Sequence, residues 1–158
     1  MISSNGSSAV FIDSQSTIEN FTNKGTIKSN GNADVSDGIS GPLYSSSGLV
    51  LKNKTTIKTL TNQGSISGKV GINMIGSTIE NFKNTGTIQS TSSSAKGGAI
   101  IISNYYGSAS IVENLTSTIQ SNSNGILVEI GNKINTLINK GTIEASLNGI
   151  SFYHYGNL

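Results

Sequence analysis

The stretch Ser77–Ile88, STIENFKNTGTI, decides the fold, because the chain rewrites it repeatedly. It stands near the start as STIENFTNKGTI (Ser16–Ile27), and looser copies follow as TTIKTLTNQGSI (Thr55–Ile66), SIVENLTSTI (Ser110–Ile119) and NKINTLINKGTI (Asn132–Ile143). An internal repeat of this length marks an architecture of stacked units. The leading apolar residues form a column, Ile18, Ile57, Ile79, Val112 and Ile134, with spacings of 39, 22, 33 and 22 residues. Twenty-two residues is the unit, and the longer intervals carry insertions of 17 and 11. Insertions that leave the flanking pattern intact behave as loops on a solenoid.

Each unit holds three short β-like segments. In the first, T-I-E-N-[F/L], a second apolar column follows the first: Phe21, Leu60, Phe82, Leu115 and Leu137. The interval of three between the two columns breaks strict alternation and predicts a bend near Asn81. A tight N-x-G corner comes next, at Asn23–Gly25, Asn62–Gly64, Asn84–Gly86 and Asn139–Gly141, using residues that tolerate positive φ. The fourth copy lacks this corner and is two residues shorter there. The second segment is [T/S]-I-x, with an all-Ile column at Ile27, Ile66, Ile88, Ile119 and Ile143. The third begins with Gly, at Gly48–Leu51, Gly71–Met74, Gly125–Val128 and Gly149–Phe152. Ala9–Ile12 and Ala99–Ile102 read as the same segment; for Ala99–Ile102 two registers, one residue apart, exchange inner and outer side chains.

Three strands per coil, each stacked on its counterpart in the next, predict an all-β, single-stranded parallel β-helix. It would have five to six coils, rising about 4.8 Å each. Right-handed winding is the rule for parallel crossovers. One β-solenoid domain over residues 1–158 is expected, as a piece of a longer repeat array, with surface excursions within 28–47, 90–98 and 103–109. The first excursion holds Pro42 and a candidate extra strand at Gly38–Ser40.

Composition narrows function. Ten Lys and no Arg oppose eight acidic residues, a net charge of +2. That bias is too weak to argue for nucleic acid or an anionic membrane. With no Cys there is no disulfide framework and no thiolate metal site. The longest apolar runs, Ala99–Ile102 among them, fall far short of the roughly 18 residues that span a bilayer. The opening MISSNGSSAV has neither the basic nor the apolar region of a signal peptide.

The I-x-N-x-G-T-I repeats, the abundance of Asn, Ser and Thr, and the absence of Cys together resemble the passenger domains of bacterial autotransporters and related surface adhesins. The resemblance runs over nearly the whole chain. It implies a secreted or cell-surface location and a non-catalytic structural or adhesive module, a stalk that needs no cofactor. Partners would be a host-cell or surface ligand, or further copies through the solenoid ends. The alternatives are a carbohydrate-active β-helix enzyme and a self-assembling, toxin-like segment.

Few residues invite chemistry. Asp34 and Asp37, in GNADVSDG, are the one close pair of aspartates, and a Ca²⁺ site or an acid–base pair is weighed there against a solvated loop. Such sites gather several acids with Lys or Arg, so the solvated loop is preferred. His154, the single His, cannot build a multi-His metal site. Glu19, Lys58, Glu80, Glu113 and Asn135 form a solvated column, with a favourable pairing around Lys58 and an acidic pair at Glu80 and Glu113. Thr26, Ser65, Thr87, Thr118 and Thr142 form an outward hydroxyl file beside Lys28, Ser67, Gln89, Gln120 and Glu144. Ice binding needs two Thr files, and the mixed second file argues against it.

The outward positions of the third segment are Phe11, Val50, Asn73, Ile101, Leu127 and Ser151. An apolar outward file marks a contact face, so Phe11, Val50, Ile101 and Leu127, with Tyr105 and Tyr106 of the nearby excursion, are the candidate interaction residues. The competing expectation is that the 28–47 excursion or another segment covers the file.

Overall fold

A computed structural model describes residues 1–34, 46–103, 108–113, 117–129 and 131–153, the strand Ser108–Glu113 through its backbone pairing alone. Among these residues every regular element is a β-strand, in three parallel sheets visited in strict rotation. The first sheet contains β1 (Ile2–Ser4), β4 (Thr26–Ser29), β7 (Ser65–Gly68), β10 (Thr87–Ser90), β13 (Thr118–Ser121) and β16 (Thr142–Ala145). The second contains β2 (Val10–Ile12), β5 (Ser47–Lys52), β8 (Val70–Ile75), β11 (Gly98–Ser103), β14 (Asn124–Glu129) and β17 (Ile150–Tyr153). The third contains β3 (Thr17–Asn23), β6 (Thr56–Asn62), β9 (Thr78–Asn84), β12 (Ser108–Glu113) and β15 (Lys133–Asn139). Every pairing joins neighbouring coils, so the architecture is a parallel β-helix. β1, upstream of the expected first strand, continues the Ile column with Ile2 opposite Ile27.

The stacked columns make the core. Ile27, Ile66, Ile88 and Ile119 enter from the first sheet, and Ile57, Leu60, Ile79 and Phe82 from the third. The second sheet adds two columns, Leu49–Ile72–Ile100–Ile126 and Leu51–Met74–Ile102–Val128. This settles the register of Ala99–Ile102, with Ile100 and Ile102 inward. In β9 the exposed Glu80 and Asn81 stand side by side between buried Ile79 and Phe82, so the in/out alternation breaks where the interval of three requires it. Ile88→Ala is expected to cost about 2–5 kcal/mol, since it deletes most of a fully buried side chain. Half-buried Thr87→Ala should cost less than half as much in denaturant melts.

The corners differ from expectation. None of the N-x-G glycines has positive φ. Their role is close approach: a Cβ on Gly64 would overlap the backbone carbonyl oxygen of Gly25, and one on Gly86 that of Gly64. The Asn of the motif forms a buried ladder, Asn23 Nδ2 donating to Asn62 Oδ1 (2.8 Å) and Asn62 Nδ2 to Asn84 Oδ1 (2.7 Å). Asn23 Oδ1 and Asn84 Oδ1 also accept from the amides of Gly25 and Gly86. Amide stacking thus satisfies polar groups inside a low-dielectric corner, where an unpaired one is costly. Positive φ occurs at the corner from the second sheet to the third, at Ser14, Gln15, Asn53, Lys54, Gly76 and Gly131. At the corner from the first sheet to the second, buried Ser29, Ser90 and Ser121 cap the turn, their hydroxyls accepting from the amides of Gly31, Ser92 and Ser123.

The fourth copy is the main correction to the alignment. Ala109 takes the first column beside Ile79 and Ile134, and Ile111 takes the second beside Phe82 and Leu137. Val112 instead pairs with Lys83 and Ile138, and Glu113 lies between Asn84 and Asn139, away from Glu80. Reach explains the shift. Phe82 is six residues before Ile88, whereas Leu115 is four before Ile119, too few to turn the corner; Ile111 is eight before it. A register irregularity after Ala109 absorbs the difference.

Candidate interaction surface

The candidate file of the second sheet has the expected register but not the expected exposure. Phe11, Val50, Asn73, Ile101, Leu127 and Ser151 are successive partners along one column. None of them belongs to the main core, yet Val50 is 3%, Ile101 0% and Leu127 2% exposed. Ile101 and Leu127 pack with Val70 in a second apolar cluster. Since a single chain is present, this chain itself covers its own stripe, and Val50, Ile101 and Leu127 are not a free interaction face. Phe11, 56% exposed on β2 at the edge of the sheet, remains accessible. Tyr105 and Tyr106 lie outside the described residues, as do Asp37, Pro42, the candidate strand Gly38–Ser40, and His154.

The excursions before β5 and before β11 leave the same corner, from the first sheet to the second, in coils separated by the short Gly68–Val70 turn. There Lys69 Nζ pairs with Asp34 at 3.4 Å, so this member of the aspartate pair is engaged by a lysine. The backbone joins the excursions to the same turn: Lys69 N donates to Ser46 O, and Ser92 N to Lys69 O. One coil on, Asn124 Nδ2 donates to the carbonyls of Ala95 and Gly97. No group of three or more His, Asp or Glu able to hold a metal ion occurs among the described residues. No helix among them is long and apolar enough to cross a membrane.

The polar faces are regular. On the first sheet Thr26, Ser65, Thr87, Thr118 and Thr142 are stacked partners, and so are Lys28, Ser67, Gln89, Gln120 and Glu144. In the second file Gln89 Nε2 donates to Gln120 Oε1, and Gln120 Nε2 to Glu144 Oε2, both at 3.3 Å. These rungs run along the helix axis on a side that shares nothing with the core.

On the third sheet Lys58 Nζ meets Glu19 at 2.7 Å, the pairing expected around Lys58. The hydrogen bond to Glu19, then its charge, hold the Lys58 ammonium above its ordinary value of 10.5, with the Glu80 charge adding to the effect. A raised folded-state value means that the pair's contribution is fully present below the unfolded value of 10.5 and is lost as pH rises through the folded one. Both side chains are largely solvated, so the effect on melting should be small and screened by salt. An NMR titration of Lys58 should show its midpoint falling on Glu19→Gln; an unchanged midpoint would remove Glu19 as the cause.

Among known proteins, no family model, curated protein or solved structure matches this chain.

Proposed function

We propose that this chain is a non-catalytic structural and adhesive module of an exported bacterial surface protein, a stalk that presents polar files and corner excursions to a surface ligand. The observation that supports this reading most is the outer face of the first sheet. There hydroxyl, amide and carboxylate side chains repeat at the coil spacing and Gln89, Gln120 and Glu144 are already linked in a row. A row of donors and acceptors about 4.8 Å apart suits a repetitive polar ligand, such as an extracellular glycan, better than a compact substrate.

The test is retention of host cells and of a panel of surface glycans on the immobilised chain. Retention should fall at least tenfold in the triple variant Ser67→Asp, Gln89→Asp, Gln120→Asp, which changes outward side chains and leaves the Ile column intact. Equal retention by the variant would remove the polar face from the account. Release of reducing ends from any polysaccharide in the panel would replace the adhesive reading with a carbohydrate-active enzyme.

A further inference from the structure

We propose that the outer face of the first sheet carries a discrete subsite at β7, which takes a carboxylate-bearing sugar residue of an acidic glycan. This inference rests on the adhesive reading of that face and names the ligand the face selects.

Strand β7 is the low point of the face. The two outward files cross it at Ser65 and Ser67, between Thr26 and Lys28 of β4 on one side and Thr87 and Gln89 of β10 on the other. Both crossing residues are serines, so the surface dips there while the flanking strands carry longer side chains. The dip is accessible: Lys28 is exposed, and Ser65, Ser67 and Gln89 are half-buried. The backbones of β4 and β10 stand about 9.6 Å apart, twice the strand spacing. A sugar ring enters such a notch, whereas an α-helix, roughly 10–12 Å across with its side chains, does not.

The groups around the notch have unused bonding capacity. Lys28 has no carboxylate in ion-pair reach among the described residues, and its neighbours in the file, Ser3 and Ser67, are both short. On the other wall Gln89 Nε2 donates to Gln120 Oε1 at 3.3 Å, while Gln89 Oε1 accepts nothing among the described residues. The hydroxyls of Ser65 and Ser67 make no hydrogen bond there either. One cation, one amide acceptor and two hydroxyls therefore surround a space that no side chain fills. A sugar carboxylate would meet the Lys28 ammonium, and the ring hydroxyls would donate to Gln89 Oε1 and exchange bonds with the serines.

Charge favours an anion at this position. Glu144, the acid of the same file, lies four strands beyond Lys28, about 19 Å away and past the roughly 8 Å over which physiological salt screens a charge. At the end of β7 Asp34 is paired with Lys69, so those two charges offset each other. An acidic peptide fits less well than a glycan. Extended peptides dock on a sheet edge through backbone bonds, with pockets for alternate side chains, whereas the notch lies on the face of a paired sheet and has a hydroxyl floor.

The test measures retention of alginate, a polymer of uronic acids, on the immobilised chain at low salt. The same polymer with its carboxylates reduced to alcohols is the comparison. The parent chain should retain alginate at least tenfold better than the reduced polymer, and the difference should shrink as salt is added. Lys28→Gln should lower alginate to the level of the reduced polymer. Ser67→Gln, which extends the glutamine row and fills the notch while keeping the Lys28 charge, should also lower it at least tenfold. Lys133→Gln, exposed on the third sheet, should change nothing, and all three variants should melt like the parent. Alginate retained equally by Ser67→Gln and the parent would overturn the notch, and equal competition by polyglutamate would overturn the sugar assignment. Failure to retain alginate, with host cells or other glycans still held, would overturn this proposal and leave the adhesive reading standing. Failure to hold any of them would overturn both.

Discussion

Val128→Asp and Leu127→Asp are each expected to abolish cooperative folding, although neighbouring strand residues point to opposite faces. Val128 lies in the main core and is 2% exposed; Leu127 points away from that core yet is also 2% exposed, beside Ile101 and Val70. A carboxylate placed at either position loses its hydration and gains no partner, a cost that exceeds the stability of a typical domain unless the group protonates. Circular dichroism should show loss of the β signal at neutral pH for both, with Leu127→Asn recovering more of the fold than Leu127→Asp. A Leu127→Asp protein that melts like its parent would return the outer stripe to solvent and restore it as a binding face.

Gly86→Ala carries the second large effect, and Gly25→Ala is its control. Both glycines occupy the same position of the same N-x-G corner. A Cβ on Gly86 would overlap the Gly64 carbonyl oxygen, whereas one on Gly25 finds nothing within 4 Å. The first substitution must push two coils apart and should cost about 3 kcal/mol or more, at the upper end of overpacking. The second should stay within about 1 kcal/mol, since its φ is in ordinary territory. Equal losses at both positions in denaturant melts would mean that the corner requires glycine for its backbone angles, not for stacking.

That contrast shows where sequence reading succeeds. The Ile columns at Ile27, Ile66, Ile88, Ile119 and Ile143 were legible because a buried position in a stacked strand admits one shape, repeated every coil. The Asn and Gly of the corner were legible as a motif but not as a mechanism, since a tight turn and a close coil-to-coil approach select the same residues. The serine caps leave a faint signal, a Ser two residues after Ile in IKS and the two IQS copies, easily lost in so Ser-rich a chain. The fourth copy misled because SIVENL matches the motif by composition, while the length of the following corner decides which residues pair.

The candidate site was less legible. Whether an apolar outward file binds a partner depends on what the rest of the chain lays over it, and Val50, Ile101 and Leu127 have identical local patterns either way. Periodicity reports which side of a strand a residue takes. It does not report whether that side is wet.

The central claim is that coils stack in the register of the Ile column, across insertions as well as between regular repeats. Thr87 and Thr118 test it most directly, as outward partners on β10 and β13 separated by the second excursion and the irregular fourth copy. Adjacent strands place such partners about 4.8 Å apart, within disulfide reach, whereas a two-residue offset places them about 8 Å apart, beyond it. In the cysteine-free chain, Thr87→Cys with Thr118→Cys should oxidise quantitatively to an intramolecular disulfide, and Thr87→Cys with Gln120→Cys should not. Bridging of the offset pair in preference to the aligned one would contradict the stacked register and, with it, the β-helix built on it.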